Sequence, residues 1–266
     1  MLRVTPISLL LAALLLPYAA AVTAADDDSI STDRPDFVES SQVVGKGRFQ
    51  LETSVQWDRQ RVDGGRDRTF STPTLVRIGA GDSAELRIET DGRNIVHTNG
   101  EGTVAGYSDT ALGIKWHLAD QRGEGIRAAP SLGVLLHADL PSGSRTLRGH
   151  GVRPSLRLAA EWDLADGYSF GVMPGLAVER DDAGNRYGYG ILAATLGKEL
   201  GERVRGFVEV AAPQIARTSH GGTQASFDTG LTYLVNKDCQ VDVSLVHGLN
   251  RRSPDLSLAF GLSLRM

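Results

Sequence analysis

Apolar and polar residues alternate without a break over the last stretch of the chain. Leu256, Leu258, Phe260, Leu262, Leu264 and Met266 take every second position, and Ser257, Ala259, Gly261, Ser263 and Arg265 fill the gaps. A period of two marks a β-strand with one apolar and one small or polar face, and about eleven residues let a tilted strand cross a bilayer's hydrocarbon core. The same pattern opens the regular part of the chain, where Phe49, Leu51, Thr53, Val55 and Trp57 alternate with Arg48, Gln50, Glu52, Ser54 and Gln56. A strand this apolar at a free sheet edge invites aggregation, and pairing it with the first strand closes a barrel and removes the edge.

Between these ends the alternation predicts strands at 48–57, 69–78, 84–91, 107–118, 127–140, 152–162, 168–180, 187–200, 203–212, 223–235, 240–249 and 255–266. The connections alternate between long polar ones, such as 58–68, 92–106 and 141–151, and mostly short turns. Together these predict an all-β fold, a closed up-and-down antiparallel transmembrane β-barrel of about 12 strands with both termini periplasmic. Pro130 and Pro174 fit their strands less well, since proline lacks a ladder donor. Phe49, Trp116, Trp162, Tyr168 and Tyr233 fall at one end of their strands and Trp57, Phe70, Tyr187 and Tyr189 at the other, the expected placing of two interfacial girdles.

Charge assigns the faces. Leu86, Ile88 and Thr90 oppose Glu85, Arg87, Glu89 and Asp91, while Leu112, Ile114, Trp116 and Leu118 oppose Asp109, Gly113, Lys115 and His117. A basic residue facing lipid at the midplane costs about 2–4 kcal/mol, so the charged face is the lumen. The candidate lining residues are Arg48, Glu52, Glu85, Arg87, Glu89, Asp109, Lys115, His137, Asp139, Arg157, Glu161, Arg205, Glu209 and Asp228, with Asp242 and Arg265 of the same kind. Both signs are present, as in an ion-pair network or a constriction that selects solutes by charge and size.

Composition narrows the range of functions. The chain has 266 residues, a net charge of −4, 41% hydrophobic residues and 31 glycines. It is too weakly basic for a nucleic-acid partner. The one cysteine, Cys239, sits in a predicted turn, and no zinc-site spacing is present, so no metal or other cofactor is expected. His117, His137, Asp109, Asp139 and Ser131 are the residue types a membrane-embedded hydrolase would need, yet no nucleophile-elbow or P-loop motif accompanies them and an enzyme is not expected. A barrel with a purely structural role and a soluble periplasmic β-barrel that binds a ligand are also compatible with this composition.

Residues 1–25 have the character of a signal peptide: Arg3, an apolar run from Ile7 to Ala21, then the small residues Val22-Thr23-Ala24. Export to the outer membrane of a Gram-negative bacterium, with barrel-assembly machinery as a partner, follows from that reading. Residues 26–46 form a separate segment before the barrel of 47–266. Within it Asp33, Arg34, Asp36 and Phe37 combine both charges with a ring. The expectation is that Asp33 to Phe37 tucks into the periplasmic mouth as a plug, with Arg34 on Glu52 or Glu85 and Asp33 or Asp36 on lumen arginines.

Several blocks carry a family resemblance. They are Thr32-Asp33-Arg34-Pro35-Asp36-Phe37 with Ser40-Ser41, Gly45 to Glu52, Ala84 to Arg87, Ser108 to Lys115, Asp139-Leu140-Pro141-Ser142-Gly143 and Phe260 to Met266. In this order they resemble the outer-membrane transporters grouped as the MetA-pathway phenol-degradation family, with Ser142 where a threonine is expected and Met266 where barrels usually end in phenylalanine. The resemblance implies a channel in contact with outer-membrane lipid that passes small solutes, aromatic or apolar compounds among them. It leaves solute, direction and oligomeric state open.

Overall fold

The computed structural model describes residues 29–62, 65–181 and 183–266. The signal-peptide segment and Asp26 to Asp28 lie outside the described residues. Among the described residues the chain forms fifteen strands: β1 Phe49–Val62, β2 Gly65–Ser71, β3 Thr74–Gly79, β4 Ala84–Thr90, β5 Arg93–Thr98, β6 Gly102–Tyr107, β7 Thr110–Ala119, β8 Ser131–Leu140, β9 Arg153–Asp163, β10 Tyr168–Arg180, β11 Arg186–Glu199, β12 Val204–Ile215, β13 Gln224–Asn236, β14 Cys239–Gly248 and β15 Leu256–Arg265.

All belong to one antiparallel sheet that closes on itself, β15 pairing with β1 from Gln50↔Arg265 to Arg59↔Leu256. The backbone of Met266 exchanges two hydrogen bonds with that of Phe49 and completes the seam. Twelve strands make the barrel wall, because β2, β5 and β6 continue β3, β4 and β7 past one rim. Strand β1 runs through both parts, pairing with β3 over Phe49–Thr53 and with β2 over Gln56–Val62. The chain breaks between these halves at Thr72-Pro73, Asp91-Gly92 and Ser108-Asp109. Pro73 cannot donate to a ladder, and Gly92 takes φ +66°.

The expected polar loops at 58–68 and 92–106 are therefore mostly strand. Beyond the rim neither sheet face meets the hydrocarbon core, so the sequence stops alternating while the ladder continues. The connection at residues 120–130 is longer than expected, since β8 starts after Pro130, at Ser131. Pro174 stays inside β10, and pairing with β9 lapses there, between Val172↔Ala160 and Gly175↔Arg157. Cys239 opens β14 instead of sitting in a turn.

Burial is inverted relative to a water-soluble protein. Leu86, Leu112, Leu176 and Phe260 are exposed on the outer face, whereas Glu52, Arg77, Glu85 and Lys115 are 0% exposed inside. Lipid covers the first set and the lumen encloses the second, so this is a transmembrane barrel. At the end that carries Met266 and the Ile30 contact, Phe49, Trp116, Trp162, Tyr168 and Tyr233 sit in outward register, with Trp162 and Phe170 in ring contact. The other girdle is smaller than expected. Trp57 and Phe70 share the outer face, but Tyr187 and Tyr189 share the register of buried Ile191 and Ala193 and face the lumen.

Candidate functional site: a lumenal hairpin on a buried charge cluster

Residues 29–48 thread the lumen. The Ile30 N–H donates to the Lys237 carbonyl in the β13–β14 turn at the terminal end. The chain rises past Asp33 to Phe37 and Val38, whose N–H groups donate to the two carboxylate oxygens of Glu209 on β12 at 2.7 and 2.8 Å. It then descends: Ser41 N–H donates to Glu161 on β9, and Val44 N–H to Glu85 on β4 at 2.9 Å. The loop is tied to itself, Ser40 N–H donating to Asp33 Oδ1 at 2.9 Å. A chain with no ladder of its own thus has several of its N–H groups met by wall carboxylates, as burial demands.

Asp33 is the centre of the docking. Its carboxylate accepts from Lys115 Nζ at 2.7 and 2.8 Å and from Arg87 Nη1 at 2.5 Å, with Arg77 Nη1 at 3.4 Å. Arg77 also holds Glu52 at 3.0 Å and Glu85 at 2.8 Å and donates to the carbonyls of Ser31 and Gln42. Glu39 bridges Arg87 at 2.5 Å and Arg157 at 2.8 Å. Arg77, Arg87, Lys115 and Arg157 thereby balance Asp33, Glu39, Glu52 and Glu85. The hairpin supplies two of the four carboxylates. Burial pushes the Asp33 carboxyl up, but the charges of Arg77, Lys115 and Arg87 outweigh it and hold the group well below the usual carboxylate range. Burial likewise raises Glu39 and is overcome chiefly by Arg87, leaving it lowered.

The hairpin's tip meets a different wall. Val38 packs with Met173, Ala193 and Ala211, all buried, and Phe37 lies against them with the Arg157 guanidinium 5.8 Å from its ring centroid. Glycines make the room. A Cβ on Gly133 would fall 2.9 Å from Ser41 Cα, and one on Gly171 would fall 3.0 Å from a Val38 methyl.

Arg34 does not reach Glu52 or Glu85, which Arg77 and the N–H groups of Asp33 and Val44 already occupy. Next to Asp33 it points to the opposite wall, where it donates to Asp242 on β14 at 3.3 Å. Asp36 pairs with Arg205 at 3.5 Å. Asp33 docks between the middles of β4 and β7 rather than at a mouth.

Among the remaining lining residues, Glu161 and Glu209 hold hairpin N–H groups, Asp228 pairs in register with Glu209, and Arg48 is half-buried ahead of Gln50. Asp109 lies outside the wall strands at the far rim. It accepts from the N–H groups of Gly143 and Gly149 and from Arg153, and so clips down the loop after β8. Burial raises its pKa, and these bonds outweigh it, so Asp109 too is lowered. Glu89, Asp139 and His137 line a cavity of about 400 Å³ below that loop. A second, of about 420 Å³, lies beside the hairpin and is lined by Arg34 and Phe37, by Gln56, Leu75 and Glu89 of β1, β3 and β4, and by Ser226, Ser244 and Ser257 of β13–β15.

The hydrolase residue types fall into two groups, Ser131 and His117 meeting at Ser41, and His137, Asp109 and Asp139 lining the cavity of about 400 Å³. Ser131 Oγ bonds Ser41 Oγ at 2.7 Å, His117 Nδ1 bonds the Ser41 carbonyl, and His137 faces Glu89 at 3.6 Å. Among the described residues no group of three or more His, Cys, Asp or Glu side chains is placed to hold a metal ion. Sequence reasoning missed Arg77 and Glu39, two central members of the cluster. Arg77 stood between Val76 and Ile78 as the one charge in its strand, which was the available signal.

The fold is shared with solved outer-membrane barrels. An outer membrane channel from Pseudomonas putida F1 superposes with a TM-score of 0.63 at 11% identity over 85% of this chain and 98% of that one. The beta domain of the Bordetella autotransporter BrkA gives 0.53 at 12% identity over 81% and 98%, and the NanC porin 0.52 at 10% over 82% and 100%. No curated protein matches the chain. A family model described as "Putative MetA-pathway of phenol degradation" matches residues 32–266, nearly the whole of the described barrel and its hairpin, and the chain belongs to that family.

Proposed function

We propose that this protein is an outer-membrane channel for the passive passage of small solutes, with the hairpin as its constriction. The observation that carries the reading is the way residues 29–48 divide the lumen. They dock through the balanced charge cluster and leave a cavity of about 420 Å³ that the hairpin and both walls line. A cavity of this size is on the scale of small-molecule sites, which run from about 300 to 1,000 Å³. Its lining offers the apolar surfaces of Phe37, Pro35 and Leu75 and, interspersed with them, serines and carboxylates. An amphipathic solute such as a phenol could place its ring on the first and its hydroxyl on the second, consistent with the family's description.

The leader and the short turns beside the termini support a barrel whose termini face the periplasm and whose longer connections face outward. Among the described residues no complete catalytic arrangement competes with transport. Purified protein in liposomes should admit phenol and small sugars, and deletion of Ser29 to Val44 should raise single-channel conductance severalfold. A folded, heat-modifiable barrel that passes neither ions nor phenol, with or without the hairpin, would overturn the channel reading.

A further inference from the structure

The ribbon formed by the upper halves of β1 and β2 carries a charge arrangement that the channel does not use. On its outer face Arg59 lies directly opposite Arg68, and Arg61 directly opposite Arg66. All four side chains are exposed, and none has a side-chain ion pair among the described residues. Like charges directly opposed on neighbouring strands are destabilising. Among the described residues no carboxylate relieves them. Asp58 and Asp67 lie on the other face of the ribbon, Asp255 accepts from the Arg61 backbone N–H, and the outward positions of β5 are Arg93, Ile95 and His97. A repulsive row of this kind is stable when an anion bridges it.

The position specifies the anion. Trp57 and Phe70, themselves a cross-strand pair with ring centroids 5.4 Å apart, sit one step nearer the barrel on the same face. Two strand residues rise about 7 Å. Interfacial aromatic rings mark the boundary between hydrocarbon and headgroups. The first arginine row thus stands at the height of lipid phosphates, and the second one step farther out.

We infer that Arg59, Arg61, Arg66 and Arg68 form a docking site for the phosphate groups of a phosphorylated glycolipid in the outer leaflet, the acyl chains lying along Trp57, Phe70 and Leu258. Two stacked arginine pairs match a headgroup with more than one phosphate, because guanidinium groups bind phosphate oxygens through paired N–H donors. The inference rests on the outer-membrane reading above, with the β1–β2 ribbon facing outward.

The test uses the full mature chain in neutral detergent, with native mass spectrometry counting bound lipid. The probe is a bisphosphorylated lipid A, compared with its dephosphorylated form and with inorganic phosphate. Each arginine near an anionic lipid surface is worth about fivefold in affinity. The R59Q/R61Q/R66Q/R68Q variant should bind lipid A about two to three orders of magnitude more weakly, while the corresponding quadruple lysine variant keeps part of the affinity and both retain wild-type conductance. Equal lipid A binding by the glutamine variant, equal binding of the dephosphorylated lipid, or competition by millimolar inorganic phosphate would each overturn the site. Failure of the channel reading would show separately, as absent conductance in wild type.

Discussion

The sharpest consequence of the lumenal cluster concerns Asp33→Asn. In the folded protein the Asp33 carboxylate faces three cations, Arg77, Arg87 and Lys115, within 3.4 Å, and its removal leaves four wall cations against three carboxylates. Removing one partner of a buried ion pair costs about 3–5 kcal/mol. The barrel itself should keep its ladder, so the loss falls on the docked hairpin. Water can reach the cations once the hairpin leaves, which places the cost toward the lower value, about 3 kcal/mol. At about 1.4 kcal/mol per tenfold, the undocked fraction rises about a hundredfold. In a Cys239→Ser background, Val38→Cys reports docking by its rate of maleimide labelling, since Val38 is 5% exposed. Asp33→Asn should raise that rate about a hundredfold and lengthen the high-conductance openings. Arg34→Gln, which removes one 3.3 Å bond from a side chain 17% exposed, should change it by less than about tenfold. Labelling in Asp33→Asn equal to that of its parent, or a larger effect from Arg34→Gln, would refute the reasoning.

Two further outcomes follow from the same geometry. Gly133→Leu places a side chain where Ser41 now lies, an overpacking that costs about 1–3 kcal/mol, so it should expose Val38→Cys to label while leaving heat-modifiable migration intact. Lowered folded-state pKa values give stability that is present above the ordinary carboxylate range and lost as pH falls through the folded values, so the contribution of Asp33 and Glu39 to docking should stay constant from pH 8 to pH 5 and fall below about pH 4, where labelling rises.

The barrel was legible because the bilayer writes on the sequence. Every wall strand needs one face for lipid, and twelve strands, their order and the β1–β15 seam follow from where Phe260 or Leu86 fall relative to Ser263 or Glu85. What escaped lacks that constraint. On β3 the lumen side carries Leu75 as well as Arg77, so both faces look apolar and the central arginine passes for an interruption. Tyr187 and Tyr189 alternate with Gly188 and Gly190, which reads as an outward girdle until buried Ile191 fixes the register. Glu39 sits in a segment with no periodicity, where spacing says nothing of direction. The pairings of Arg34 and Asp36 required knowing which walls the hairpin divides.

That division also accounts for the use of charge in the docking. A hairpin held by apolar contacts alone would need an apolar lumen wall, and the vacated wall would then be poorly wetted. Here the wall behind the hairpin carries Arg77, Arg87 and Lys115 with Glu52 and Glu85, groups that remain solvated if the hairpin swings away. The apolar contribution is centred on Phe37 and Val38 against Met173, Ala193 and Ala211 at the tip, with Ile30 and Val44 buried besides. On the β12–β15 side the wall holds Glu209, which takes the Phe37 and Val38 N–H groups, Arg205, which pairs with Asp36, and Asp242, which Arg34 reaches by one partly exposed contact. Docking is thus dense at the Asp33 cluster and at the tip, and loosest at Arg34. The expected movement is release of the Arg34 side chain from Asp242 while Asp33 and the tip stay anchored, which widens the cavity beside Ser226, Ser244 and Ser257 without dismantling the cluster.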